Sequence, residues 1–176
     1  MNTKRREKIT LGAGCFWCTE AVYVRLEGVL SVKSGFSGGN INNPGYMEVC
    51  QGHTGHAEVC EIEYDTKSIS LEEILEVFWI IHDPTSLNRQ GNDIGTHYRS
   101  VIFYHNKEQK KVAEQSMNLA NSSGKYVNNI VTEISAWKNF YPADEHHNQY
   151  YEKNKNQAYC KFVILPKIIA FKNNRK

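Results

Sequence analysis

From Ala57 to Asp65 the chain alternates in hydropathy, and a capped amphipathic helix follows almost at once. Glu58, Cys60, Ile62 and Tyr64 share one face of the implied strand; Ala57, Val59, Glu61 and Glu63 share the other. The first face reads as inward-facing toward its far end. Ser70-Leu71-Glu72-Glu73 is a capping box, in which side chains satisfy backbone N–H groups that a helix start leaves free. It opens a helix to about His82, with Leu71, Ile74, Leu75, Phe78 and Ile81 as the apolar stripe and Asp83-Pro84 as the stop.

The same signals order the rest of the chain. Lys8 to Leu11 reads as a strand interrupted by Gly12-Ala13-Gly14, and Cys15 to about Leu26 as a helix stopped at Gly28. Val29 to Phe36 is a second strand. Gly38 to Thr54, rich in Gly, Asn and Pro, is a long ordered loop, and Thr85 to Thr96 is another. Arg99 to His105 and Ile130 to Ile134 read as strands, with a helix between them that Asn106 caps and Gly124 ends. Pro142 suits the first turn of a helix through Tyr151. Phe162 to Leu165 is a last short, strand-like apolar run. Strands and helices alternate without the rhythm of a doubly wound sheet, so the expected class is α+β, a two-layer sandwich with long ordered loops.

Composition removes whole classes of function. A chain of 176 residues favours one domain, 1–176, with residues 1–7 and 171–176 expected as frayed tails. A net charge of +2 gives no field for nucleic acid or membrane. No apolar run approaches the ~18 residues of a membrane span, and the charged N-terminus leads into no secretory hydrophobic region. Five cysteines, an odd number, fit a reducing compartment better than a disulfide framework, so a cytoplasmic protein is expected. Nothing signals an interface, and a monomer is the default.

The sharpest chemical feature is Gly12-Ala13-Gly14-Cys15-Phe16-Trp17-Cys18. A cysteine where a glycine turn meets a helix start faces free backbone N–H groups and the positive end of the helix dipole. Both lower a thiol pKa. Phe16 and Trp17 can wall such a sulfur for a small apolar group such as a methyl; a buried core cysteine is the alternative. Cys15 and Cys18 form a Cys-x-x-Cys pair, which serves redox exchange or zinc. With Cys50 and His53 it makes a possible tetrahedral zinc set for a binding module, although the two pairs lie far apart in sequence. Glu58, at the edge of an apolar face, can hold a raised pKa and donate a proton, or can simply reach solvent. Tyr46 and Tyr98 lie beside glycine-bearing loops and can supply fixed hydroxyls, or pack as ordinary tyrosines. Asp93 can position such a group or close an Asx-turn. Cys160 is a second resolving thiol or a core cysteine. His146 and His147 read as a solvated helix face.

Gly14-Cys15-Phe16-Trp17 resembles peptide methionine sulfoxide reductase A, and the resemblance continues from about Ile9 to Lys167. It recurs in Gly38-Gly39, Gly55-His56-Ala57-Glu58, His82-Asp83-Pro84-Thr85, and the run from Gly91 to Ser100. Tyr141-Pro142-Ala143 and Asn156-Gln157-Ala158-Tyr159-Cys160 complete it. The resemblance implies a ferredoxin-like core and reduction of the S epimer of methionine sulfoxide, free or in proteins. It implies Cys15 as nucleophile, Phe16 and Trp17 as the methyl pocket, Glu58 as the acid, and Tyr46 and Tyr98 as hydroxyls on the sulfoxide oxygen. Asp93 becomes a supporting carboxylate. Thioredoxin or a similar dithiol is the implied reductant, with no metal or organic cofactor. Cys18 departs from a common family pattern, and the glycine-rich tail of many members is replaced after Cys160 by Lys161-Phe162-Val163-Ile164-Leu165-Pro166. That run reads as ordered, which favours Cys18 over Cys160 as the resolving thiol.

Overall fold

The computed structural model describes residues 4–175. Its frame is a six-stranded mixed sheet in the order β7-β6-β1-β3-β2-β8. The strands are β1 (Arg6–Ala13), β2 (Val29–Ser37), β3 (Ala57–Asp65), β6 (Ser100–Tyr104), β7 (Glu133–Ala136) and β8 (Tyr141–Pro142). A separate hairpin joins β4 (Arg89–Gln90) to β5 (Asp93–Ile94). The β6–β7 pair is parallel and the other pairs are antiparallel. The result is a mixed α+β fold.

The β3 alternation sorts its two faces as its hydropathy requires. Glu58, Cys60, Ile62 and Tyr64 turn to the main core, where Ile9, Leu11 and Ile102 meet helices α1 (Phe16–Tyr23), α3 (Leu71–Ile81), α4 (Lys107–Asn121) and α6 (Leu165–Asn174). Ala57 and Val59 turn the other way, into a smaller cluster with Val101, Phe103 and Phe140. The α3 capping box forms as expected: Glu73 N–H donates to Ser70 Oγ at 3.2 Å and Ser70 N–H to Glu73 Oε2 at 2.9 Å. Asn106 caps α4 through Gln109 N–H at 2.9 Å.

Several short elements depart from the pattern reading. α1 ends at Tyr23 rather than near Leu26. The loop from Gly38 holds α2 (Tyr46–Cys50), and the loop from Thr85 holds the β4–β5 hairpin. β7 lies at Glu133–Ala136 rather than 130–134. Pro142 opens no helix but sits in β8 at the sheet edge, where a residue without an N–H is tolerated. A 3₁₀ turn (Glu145–His147) and α5 (Tyr150–Lys153) follow.

Phe162 to Leu165 is helical, part of a π turn at Cys160–Ile164 that runs into α6, so it is neither a strand nor the end of the core. Parts of both segments expected as frayed tails are ordered. β1 begins at Arg6, and α6 reaches Asn174 with Phe171 buried against the core; residues 1–3 and 176 of those ends lie outside the described residues. Phe171→Ala is therefore expected to cost about 3 kcal/mol of stability in urea unfolding, as for other buried aromatics. A loss under 0.5 kcal/mol would make the segment a dispensable tail.

This frame gathers four strand ends at one place. The C-terminal end of β1 lies beside the N-terminal ends of β3 and β6, since Ala13 pairs with Ser100 and Leu11 with Cys60. β2 completes the group by pairing Phe36 with Glu58.

Candidate active site

Cys15 stands where β1 passes into α1. Gly14 makes the turn with φ +88°, and a side chain there would meet Gln90 at 2.7 Å, so only glycine serves. Cys15 is the N-cap of α1, and its carbonyl accepts the Cys18 N–H at 3.1 Å. The sulfur is buried beneath the helix start.

Glu58 comes up from β3 and is tied to this turn: Phe16 N–H donates to its Oε1 at 3.2 Å. The carboxyl is 1% exposed, and its Oε2 has no partner. Burial pushes its pKa up to about 8, against the pull of the Phe16 N–H and with help from the Asp93 charge. At neutral pH it therefore carries a proton.

The expected depression of the Cys15 pKa is not found. Burial pushes this thiol well above its ordinary range, and the Trp17 backbone N–H offsets only part of that. The helix dipole is worth about 1 kcal/mol, less than the cost of desolvating a sulfur charge. Cys18, also buried, behaves differently. Its hydrogen bond with Cys15, the Lys167 charge and the Tyr159 hydroxyl hold it below the ordinary thiol range despite burial.

Aromatic rings close the space beside Cys15. Phe16 packs on Phe36, Tyr46 and His147, with ring centroids 5.7, 6.2 and 5.3 Å away. Trp17 stacks flat on Tyr150 at 3.6 Å and donates its Nε1–H to His147 Nδ1 at 3.1 Å. Tyr46 and Tyr98 are half-buried, and both pKa values rise through burial first and the nearby Glu58 charge second, so both hydroxyls keep their protons.

Asp93, on β5, closes no Asx-turn; it accepts the Tyr159 hydroxyl at 2.6 Å. The Tyr159 oxygen also lies 3.8 Å from Cys18 Sγ. Cys15, Asp93, Tyr159, Gln90 and Lys167 line a cavity of about 380 Å³. Lys167 is half-buried and, among the described residues, has no hydrogen-bond or ion-pair partner.

Cys160 is fully buried in the π turn, and burial raises its pKa. Cys15, Cys18, Cys50 and His53 do not converge as a zinc set. Among the described residues, the His, Cys and carboxylate ligand atoms that gather in a group are those of Cys50, Glu58 and His97.

The structure thus brings Cys15, Phe16, Trp17, Cys18, Tyr46, Glu58, Asp93 and Tyr98 to one site. Three residues were missed. Tyr159 links Asp93 to Cys18, yet in sequence it is only the neighbour of Cys160. Tyr150 is one of ten tyrosines with no distinguishing spacing. His147, expected on a solvated face, is 2% exposed, because the 3₁₀ turn points it at Trp17 while His146 stays outside.

A family model described as peptide methionine sulfoxide reductase matches residues 7–176. Peptide methionine sulfoxide reductase MsrA of Saccharolobus solfataricus is 54% identical over 166 residues, covering 94% of this chain and 92% of that protein. Mxr1 from Saccharomyces cerevisiae in its reduced form superposes with a TM-score of 0.82 at 36% identity, over 90% of this chain and 91% of Mxr1. Mxr1 in complex with Trx2 matches with a TM-score of 0.58 at 28% identity, over 85% of this chain and 87% of that one. With sequence and fold both agreeing along nearly the whole chain, this protein belongs to the MsrA family of peptide methionine sulfoxide reductases, the peptide-methionine (S)-S-oxide reductases.

Proposed function

We propose that Cys15 reduces the sulfoxide, with Glu58 as the acid and Cys18 as the resolving thiol. The observation that carries this reading is the Glu58 carboxyl, buried with Oε2 unpartnered and tied through Oε1 to the Phe16 N–H immediately after Cys15. A sulfoxide sulfur is a poor electrophile while its oxygen bears negative charge. Glu58 gives that oxygen a proton, and the Tyr46 and Tyr98 hydroxyls hold it. Donors placed in this way are each worth about 3 kcal/mol in a site that excludes water. Phe16 and Trp17 receive the methyl group. Asp93 is a positioning residue acting through Tyr159.

The proton count closes on Glu58. Cys15–SH and the sulfoxide become Cys15–SOH and the thioether; the substrate S–O bond breaks, an S–O bond to Cys15 forms, and two electrons pass to the substrate sulfur. The thiol proton replaces the one Glu58 gave. No net charge is created in a buried site, which suits a Cys15 thiol whose ionisation alone is costly. Cys18 then displaces water from the sulfenic acid to give a Cys15–Cys18 disulfide.

Thioredoxin reduces that disulfide by exchange; the complex of Mxr1 with Trx2 supports this partner. The whole chain, 1–176, is read as one catalytic domain working in the cytoplasm on free or protein-bound methionine sulfoxide. No helix among the described residues is long and apolar enough to cross a membrane.

One single-turnover experiment tests the reading. Reduced protein is mixed with one equivalent of each separated sulfoxide epimer, without reductant, then alkylated and mapped by mass. The S epimer is expected to yield one methionine per chain and a Cys15–Cys18 bridge, the R epimer neither. A Cys15–Cys160 bridge would overturn Cys18 as the resolving thiol. An unmodified Cys15 after turnover would overturn the nucleophile.

A further inference from the structure

We propose that Cys50, Glu58 and His97 form an inhibitory site for a zinc-class divalent cation, which silences the reductase by occupying its acid. The three residues come from separate elements: Cys50 ends α2, Glu58 lies on β3, and His97 sits in the 3₁₀ turn Thr96–Tyr98. Their ligand atoms lie within 4.8 Å of one another. Two are buried donors with nothing to bind. Glu58 Oε1 is taken by Phe16 N–H, while Oε2 is buried without a partner. His97 Nδ1 is buried without a partner too, in a residue 4% exposed. Buried polar atoms of native proteins are paired in the great majority, so an orphan on each of two clustered residues points to a missing ligand.

The donor set identifies that ligand. A thiolate, a carboxylate and an imidazole suit zinc, whose open sites use three protein ligands and keep a fourth position for water. Cys50 and Glu58 as anions neutralise a divalent cation, so the complex adds no net charge to a buried place. Ligand atoms around tetrahedral zinc lie about 3.5 Å apart, so the cluster must contract by about 1 Å. The Cε1–Nδ1 edge of the His97 ring packs on Gly95, where a side chain would meet it at 2.6 Å. Cys50 is half-exposed and gives the ion a way in.

The inhibitory consequence rests on Glu58 being the acid. A metal on Oε2 takes the lone pair that otherwise carries the transferable proton. Binding itself rests on the geometry alone, and the two parts are tested separately.

Cys15 and Cys18 also bind soft metals, so binding is measured in a Cys15→Ser, Cys18→Ser protein, with circular dichroism confirming the fold. Cobalt(II) titration is expected to give one ion per chain with a thiolate-to-cobalt charge-transfer band that zinc abolishes by displacement. Cys50→Ser in this background removes the band, and His97→Gln weakens binding at least tenfold. Absence of the band, or indifference to His97→Gln, overturns the site. In the otherwise unaltered enzyme, His97→Gln is expected to keep metal-free turnover within twofold and to need at least tenfold more zinc for half-inhibition. Unchanged zinc sensitivity would put the metal on Cys15 and Cys18 and overturn the proposal. If the cobalt site is present but metal-free Glu58→Gln turns over normally, it is the acid assignment that fails.

Discussion

Glu58→Gln is expected to lower turnover of the S-sulfoxide by about 10²–10⁴-fold, the usual worth of a positioned general acid. Glutamine keeps an oxygen for the Phe16 N–H, so the turn after Cys15 is retained and only the transferable proton is lost. The pH profile should report the same group. In metal-free wild-type enzyme the rate falls as pH rises through about 8, because Glu58 ionises there. The variant lacks that limb. A variant within tenfold of wild type, or one with the same alkaline limb, would remove Glu58 from the reaction.

Stability should move the other way. A carboxyl whose pKa is raised on folding, here to about 8, contributes fully below its ordinary range of about 4.3, and the contribution is lost as pH rises through the folded value. Above that point the native state must hold a desolvated charge or open. Glu58→Gln has no such penalty and should be the more stable protein at pH 9, by a few kcal/mol. The two effects separate the role of the residue from damage to the fold, since a merely damaged variant loses activity and stability together.

How far the site was legible in the sequence depended on how local each cause is. The Ser70 box, the Asn106 cap and the β3 alternation work through neighbours a few residues away, and each appears where the pattern put it. Gly14 before Cys15 marks a turn by the same local logic. The short elements α2, β4, β5 and β8 are fixed instead by what they touch across the fold, which no window of sequence contains. Phe162 to Leu165 was ambiguous in kind, because four apolar residues fit a strand or one side of a buried helix equally well. His147 and Tyr159 matter only because distant turns carry them to Trp17 and Asp93. The Cys15 pKa failed for an energetic reason. The helix start was visible, but the depth of burial that outweighs it was not.

The other large effect concerns Cys18. Cys18→Ser is expected to lower thioredoxin-coupled turnover by about 100-fold or more, equivalent to ~3 kcal/mol on the resolving step, while the first methionine per chain is released at the wild-type rate. The Cys15 sulfenic acid then accumulates and can be trapped by dimedone, because the neighbouring thiol that would condense with it is gone. Cys160 is not expected to take over. It is buried in a π turn that continues into α6, whose Ile168 and Phe171 anchor the segment in the core. Burial there also raises its pKa, so less of it is thiolate to attack the sulfenic acid. Cys160→Ser should accordingly leave coupled turnover within about twofold, the range of a change that misses the rate-determining chemistry. If Cys160→Ser were the variant that stalled at the sulfenic acid, the resolving bridge would draw on the π turn that leads into the last helix. Amide exchange along residues 160–174 would then quicken on oxidation, whereas resolution by Cys18 leaves that protection unchanged.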